Sequence, residues 1–207
     1  MSKRIGIFSG SFDPVHNGHV AFALSAITAA KLDAVYFAPE TKPRRKPHVT
    51  HIAHRLAMLE LALRSQPRLH VLELPGKYFL PKSTMAHIRK KFPDDEIVML
   101  LGSDLFEHLT EYPQQWPHVE YLLSEVGFAV ASRAGHSPEE FEARLLGLPV
   151  QPRSFVVAEN HEPSLSSGLI RKAIMAGEEP IGLARGVQNY AKKHWLYHDL
   201  SKVDKNT

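Results

Sequence analysis

Two histidines three residues apart, His16 and His19, close a stretch that reads KRIGIFSGSFDPVHNGHV over residues 3–20. Imidazoles in that register donate N–H groups to a phosphate, provided the backbone brings both to one side. The preceding residues supply such a backbone. Ile5, Ile7 and Phe8 read as a strand, Ser9-Gly10-Ser11 breaks it, Asp13-Pro14 turns the chain, and a helix begins near Asn17. A loop between a strand and a helix leaves backbone N–H groups without partners, and the helix adds the positive end of its dipole, so an anion is favoured there. With Asn17 as N-cap, His19 falls in the first turn and both rings face one phosphate-sized volume. Histidine spacing alone is weak, since most histidines are ordinary core or surface residues. The neighbouring glycine, serine and helix start give it meaning.

A second anion site is expected in SLSSGLIR, residues 164–171. Ser166 reads as an N-cap, the helix runs to Ala176 with Gly177 after it, and Leu169, Ile170, Ala173 and Ile174 supply its buried face. The hydroxyls of Ser166 and Ser167 and the guanidinium of Arg171 then converge on another phosphate. Gly102-Ser103-Asp104 ends an apolar strand, so Asp104 either accepts from ribose hydroxyls or caps a helix, and the two roles are compatible. Trp116, in a proline-bounded loop, suits stacking on a flat heterocycle; the plainer role is core packing.

The elements that must position these groups alternate. Strands are expected over 34–38, 69–74, 96–101, 127–131 and 155–158. Helices are expected after residue 17 with Val20, Leu24 and Ile27 inward, on the Ile52, Leu56, Leu59, Leu63 stripe, over 84–91, over 137–146 behind a Ser137 and Glu140 capping box, and within 182–197. This pattern predicts a doubly wound, Rossmann-like α/β domain, a parallel sheet flanked by helices with the C-terminal helices packed at one end, spanning 1–198 and followed by a polar tail, 199–207. In such sheets ligands lie beyond the carboxyl ends of the strands, where the His16 loop falls. The basic loop over 39–50, with Lys42, Arg44, Arg45 and Lys46, follows the second strand on that side and reads as a phosphate-binding flap, against the plainer alternative of a solvated loop. His51 and His54 read as helix-start surface residues rather than a metal pair.

Composition narrows the classes. The 207 residues carry 25 Lys plus Arg against 22 Asp plus Glu, a formal charge of +3, too slight to demand nucleic acid. There is no cysteine, which excludes a disulfide framework, a thiol nucleophile and Cys-ligated zinc. No apolar run reaches membrane-spanning length and no signal segment is evident, so a cytoplasmic protein without membrane or nucleic-acid partners is expected. Oligomeric state is left open, and a homo-oligomer is compatible with the chain.

The run GSFDPVHNGH resembles the His-x-Gly-His signature of nucleotidyltransferases, and the chain from Lys3 to Tyr197 is similar to the nicotinate-nucleotide adenylyltransferase family. The resemblance implies transfer of adenylate from ATP, with Mg²⁺ carried by the triphosphate, to nicotinate mononucleotide, giving the dinucleotide and pyrophosphate. It implies catalytic roles for His16, His19 and Arg171. Gly10, Ser11, Phe12, Gly18, Lys46, Gly102, Asp104, Ser166 and Ser167 would join them around ATP, and Ser11, Thr84, Trp116 and Arg133 would meet the acceptor. The chain departs from the family at Ser9 and Gly168, and at Phe79-Leu80-Pro81, where a Ser-Tyr-Thr segment is expected. Alternatives are an adenylyltransferase acting on nicotinamide mononucleotide or another phosphorylated acceptor, and a non-catalytic nucleotide-binding or sensing protein.

Overall fold

The computed structural model describes residues 2–44, 46, 48–132 and 137–198. Its elements run β1 (Arg4–Gly10), α1 (Asn17–Ala29), β2 (Ala34–Pro39), α2 (Ile52–Leu63), β3 (Leu69–Val71), α3 (Pro81–Lys91), β4 (Glu96–Leu101), α4 (Ser103–Glu111), a 3₁₀ turn (Pro113–Gln115), α5 (Val119–Glu125), β5 (Gly127–Ala131), α6 (Pro138–Leu146), β6 (Phe155–Ala158), α7 (Ser167–Ala176) and α8 (Arg185–Lys193). The strands form one parallel sheet in the order β3-β2-β1-β4-β5-β6. The chain reverses its direction of winding between β1 and β4, and the loops after these two strands open a crevice at their carboxyl ends.

The period of two along the strands divides the core between the two faces of the sheet. Ile5, Ile7, Ile97 and Met99 belong to one cluster, with Met85 and Ile88 of α3, Phe106 of α4, Leu122 of α5 and Phe141 of α6. Phe8, Val35, Val98 and Leu100 belong to the other, with Phe22 of α1, Met58 and Leu59 of α2 and Val187 of α8. Strands covered on both faces have no polar side to present, hence runs such as IVML in β4. Each fully buried Phe, Leu or Met contributes about 1.5–3 kcal/mol.

Several local expectations shift. The N-cap of α1 is His16, not Asn17: the Asn17 N–H donates to the Gly182 carbonyl at 2.8 Å, and the His16 N–H donates to His19 Nδ1 at 3.2 Å. The buried face of α1 is Gly18, Phe22, Ala23, Ala26 and Ile27, because Phe22 packs edge-on against Phe8; Leu24 turns outward. β3 stops at Val71, although the Leu72 N–H still reaches the Phe37 carbonyl. α3 begins at Pro81 rather than residue 84, since a proline at the first helical position loses no hydrogen bond. The stretch between Asp104 and Trp116 is mostly α4, capped by Gly102, so Asp104 lies inside the first turn and is not the cap. α5 follows Trp116, where no helix is legible. Leu169 is 58% exposed, leaving Ile170 and Ile174 as the buried face of α7. The last helix is shorter than 182–197.

Candidate active site

The loop from β1 to α1 is shaped by close packing. A Cβ on Gly10 would stand 3.1 Å from the Phe12 ring, so the absence of a side chain lets that ring fold back. Phe12 sits at φ 47°, a left-handed conformation costing a residue with Cβ about 1–2 kcal/mol. The packing holds it there: its ring, 1% exposed, lies 5.2 Å from Phe8, 5.3 Å from Phe37 and 5.1 Å from the ring of His19.

The turn that follows is anchored through Asp13, which is buried. Its Oδ1 accepts from the Tyr197 hydroxyl at 2.7 Å, its Oδ2 from the Thr50 N–H at 3.1 Å, and its carbonyl from Arg171 Nη1 at 2.6 Å. Burial, and then the charge of Asp13, keep the Tyr197 phenol above its ordinary range, so it stays a donor. Beneath the loop lies Arg55, fully buried, whose Nε donates to the Thr50 carbonyl at 2.8 Å, Nη1 to Ser11 at 2.7 Å and Nη2 to Thr41 at 3.0 Å. One guanidinium therefore ties both ends of the basic loop to the β1–α1 loop.

The two imidazoles lie face to face, ring centroids 3.7 Å apart at 32°. A Cβ on Gly18 would meet His16 Nδ1 at 3.1 Å and the Glu162 carbonyl at 3.3 Å, so a side chain there would displace the ring. Nδ1 of His16 is buried without a protein partner among the described residues. Desolvation lowers its pKa to about 4. His19 is lowered as well, first by desolvation, then by the neighbouring His16 and Lys46. Both rings are accordingly neutral at physiological pH, each with one N–H to give.

α7 meets this loop end-on. The Ser167 hydroxyl donates to the Pro14 carbonyl at 2.9 Å, Ser166 Oγ caps the helix by accepting from Leu169, and Arg171 reaches Asp13 as above. The first turns of α1 and α7 thus share one border, and Arg171 acts on Lys46 electrostatically. Lys46 Nζ donates to Ser11 Oγ at 2.8 Å; burial and then Arg171 lower its pKa.

Beside this polar corner opens a chamber of about 580 Å³. It is lined by Ser9, Gly10, Ser11 and Lys46, by the apolar Met99, Leu101 and Phe128, and by Trp116. The indole N–H donates to His108 Nδ1 at 3.1 Å, which fixes the plane of the ring. Asp104 stands at the rim beside exposed Gly102. Thr84 does not line the chamber: it is buried, its hydroxyl accepting from the Leu80 N–H at 2.9 Å. Arg133 lies outside the described residues, as does the 199–207 tail. Of the residues singled out for the site, Gly10, Ser11, Lys46, Asp104 and Trp116 line the chamber, and His16, His19, Ser167 and Arg171 gather around the β1–α1 loop. The structure adds Asp13, Glu40, Arg55, His108 and Tyr197; of these Asp13 lies within the run GSFDPVHNGH, and the others stand in no local pattern.

A crevice at the switch point of a parallel sheet, with paired imidazoles between two helix N-termini, defines a nucleotidyltransferase. The cytidylyltransferase-like family profile matches residues 7–173. A probable nicotinate-nucleotide adenylyltransferase from Solibacter usitatus is 34% identical, the alignment covering 94% of this chain and 100% of that one. The nicotinate-nucleotide adenylyltransferase of Bacillus subtilis is 29% identical, with 94% and 98% covered. Among solved structures, Plasmodium falciparum nicotinic acid mononucleotide adenylyltransferase complexed with NaAD shares the fold at a TM-score of 0.74 and 18% identity, over 94% of this chain and 97% of that chain. The chain belongs to the nicotinate-nucleotide adenylyltransferase family within that broader class.

Proposed function

We propose that the protein transfers the adenylyl group of ATP to the phosphate of nicotinate mononucleotide, forming nicotinate adenine dinucleotide and releasing pyrophosphate. The observation that carries this reading is the docking of α7 on the β1–α1 loop through Ser167 and Arg171, on the same loop that leads into the stacked imidazoles of His16 and His19. The family relationship supports the same substrates.

A phosphate oxygen of the acceptor attacks the α-phosphorus of ATP in line. The new P–O bond forms as the bond to the bridging oxygen breaks, and pyrophosphate leaves with the electron pair. No group on the protein has to become covalently attached, so its contribution is positioning and stabilisation of charge. His16 and His19 donate N–H to the transferring group. Arg171 and Lys46 hold the outgoing phosphates, with backbone groups of Gly10, Ser11, Phe12 and Gly18 and the hydroxyls of Ser166 and Ser167 alongside. Asp104, next to Gly102, accepts from a ribose, and Trp116 stacks on the pyridine ring, beside Ser11.

Among the described residues no cluster of three His, Asp or Glu side chains is placed to hold a metal. The Asp13 carboxylate, next to the loop, is already committed to Tyr197 and Thr50. A divalent ion, Mg²⁺, carried by the triphosphate as part of the substrate would neutralise phosphate charge beside Lys46 and Arg171. No helix among the described residues is long and apolar enough to cross a membrane.

Pyrophosphate release from ATP and Mg²⁺ across a panel of phosphorylated acceptors tests the reading. Nicotinate mononucleotide is expected to turn over fastest, and silence with every pyridine mononucleotide would overturn it.

A further inference from the structure

The acceptor of the proposed reaction carries a ring carboxylate, and the chamber that would take it already contains two carboxylates, Glu40 and Asp104. An anionic ring substituent is held there only if a donor or cation compensates. Backbone N–H groups at the edge nearest Phe79 do not. The Phe79 N–H donates to Glu40 Oε1 at 3.2 Å, the Leu80 N–H to Thr84 Oγ1 at 2.9 Å, and Pro81 has none. Two cations line the chamber among the described residues. Lys46 is turned toward the phosphate corner by its bond to Ser11 Oγ.

Arg44 is the other. Its guanidinium carbon lies 4.4 Å from the centroid of the Tyr78 ring. Two neighbouring bonds join the same pair of segments: the Lys42 N–H donates to the Lys77 carbonyl at 2.7 Å, and Glu40 takes the Phe79 N–H. These bonds bring the part of the loop bearing Arg44, which lines the chamber, alongside Tyr78, the residue before the chamber-lining Phe79. A guanidinium whose carbon lies over an aromatic ring still has edge N–H groups that can meet a carboxylate with two hydrogen bonds in fork geometry.

We infer that Arg44, which lines the chamber with its guanidinium over the Tyr78 ring, is the specificity-determining residue that reads the ring carboxylate of the acceptor and sets the preference for the acid over the corresponding amide. This rests on the pyridine mononucleotide reading above. The test is the ratio of kcat/KM for nicotinate mononucleotide to kcat/KM for nicotinamide mononucleotide, measured at saturating ATP in the full-length wild type, Arg44→Ala, Arg44→Lys and Tyr78→Leu. A ratio cancels changes in folded fraction and in ATP binding. Arg44→Ala is expected to lower it at least about tenfold, the scale of one charge-assisted hydrogen-bonded contact. Arg44→Lys, which keeps the charge without the fork, and Tyr78→Leu, which removes the stacking surface, are expected to fall between. If Arg44→Ala slows both acceptors equally, Arg44 serves a phosphate and the inference is overturned; it is equally overturned if the ratio stays within about twofold of wild type. A wild type that turns over neither acceptor, or prefers the amide, defeats instead the reading on which the inference stands.

Discussion

At the scale of single residues the site depends on two imidazoles kept neutral by their surroundings. His19→Ala should lower kcat by roughly 10² while leaving thermal stability close to wild type, the usual loss for one preorganised donor to developing charge; steady-state pyrophosphate release and a melting curve check both halves. Neutrality also has a cost at low pH. His16 has a folded-state pKa of about 4 against 6.5 for the free side chain, so the unfolded chain binds protons more readily between these values. The contribution to stability is complete above about pH 6.5, falls as pH drops toward about 4, and levels off below. Over that window His16 alone accounts for about 3 kcal/mol, and His19 adds in the same direction. Urea denaturation at about pH 7 and about pH 4.5 measures the loss, and His16→Asn should flatten the slope. A bound polyphosphate should oppose it, because an anion beside the rings favours their protonated form.

At the scale of elements, the loops around the crevice are held less by their own turn chemistry than by a side chain from a neighbouring helix. Arg55 on α2 satisfies carbonyls of Ser11, Thr41 and Thr50 at once, and burial lowers its pKa while Asp13 opposes that effect. Arg55→Met keeps the length and the apolar stem but strands three acceptors and removes one of the cations near Asp13. A stability loss of about 3 kcal/mol or more is expected in chemical denaturation. KM for ATP should rise too, since Lys46 lies on the loop whose two ends Arg55 anchors. α2 also shows why its stripe was only partly legible. Leu59 and Leu63 fall inward as the periodicity predicts, but a buried arginine in the same stripe is invisible to any pattern of apolar spacing. A helix after Asp104 is among the readings of the sequence, but its extent and α5 are not legible, because the proline, glutamine and histidine content of 112–118 reads as loop, whereas Phe106, Leu109, Leu122 and Leu123 packing in the core decides the flanking helices.

At the scale of the whole molecule, two segments far apart in the sequence meet at the site. Tyr197 hydrogen-bonds to Asp13 across 184 positions of sequence, next to the point where Arg171 grips the same residue's carbonyl. Tyr197→Phe removes that donor and leaves a buried carboxylate one bond short, which costs about 1–3 kcal/mol. The predicted consequence is a lower melting temperature together with a fall in kcat larger than the change in KM for either substrate, because the displaced turn carries the imidazoles. Unchanged kcat in a destabilised variant would make the contact purely structural.

The strand-loop-helix at the N-terminus, the capped helices beginning after Ser137 and Ser166, and the order of strands and helices that makes a parallel sheet were determined by the sequence itself. Capping residues, glycine breaks and strand alternation act over a few neighbours, and such short-range rules can be read without knowing the fold. Tertiary structure alone decided that Arg55 lies beneath the loop, that Tyr197 closes on Asp13, and that Glu40 blocks the N–H of Phe79. Each is a pairing between segments far apart in the chain, fixed by how two layers of helices pack across one sheet, and no local pattern encodes which distant partner a polar side chain will find.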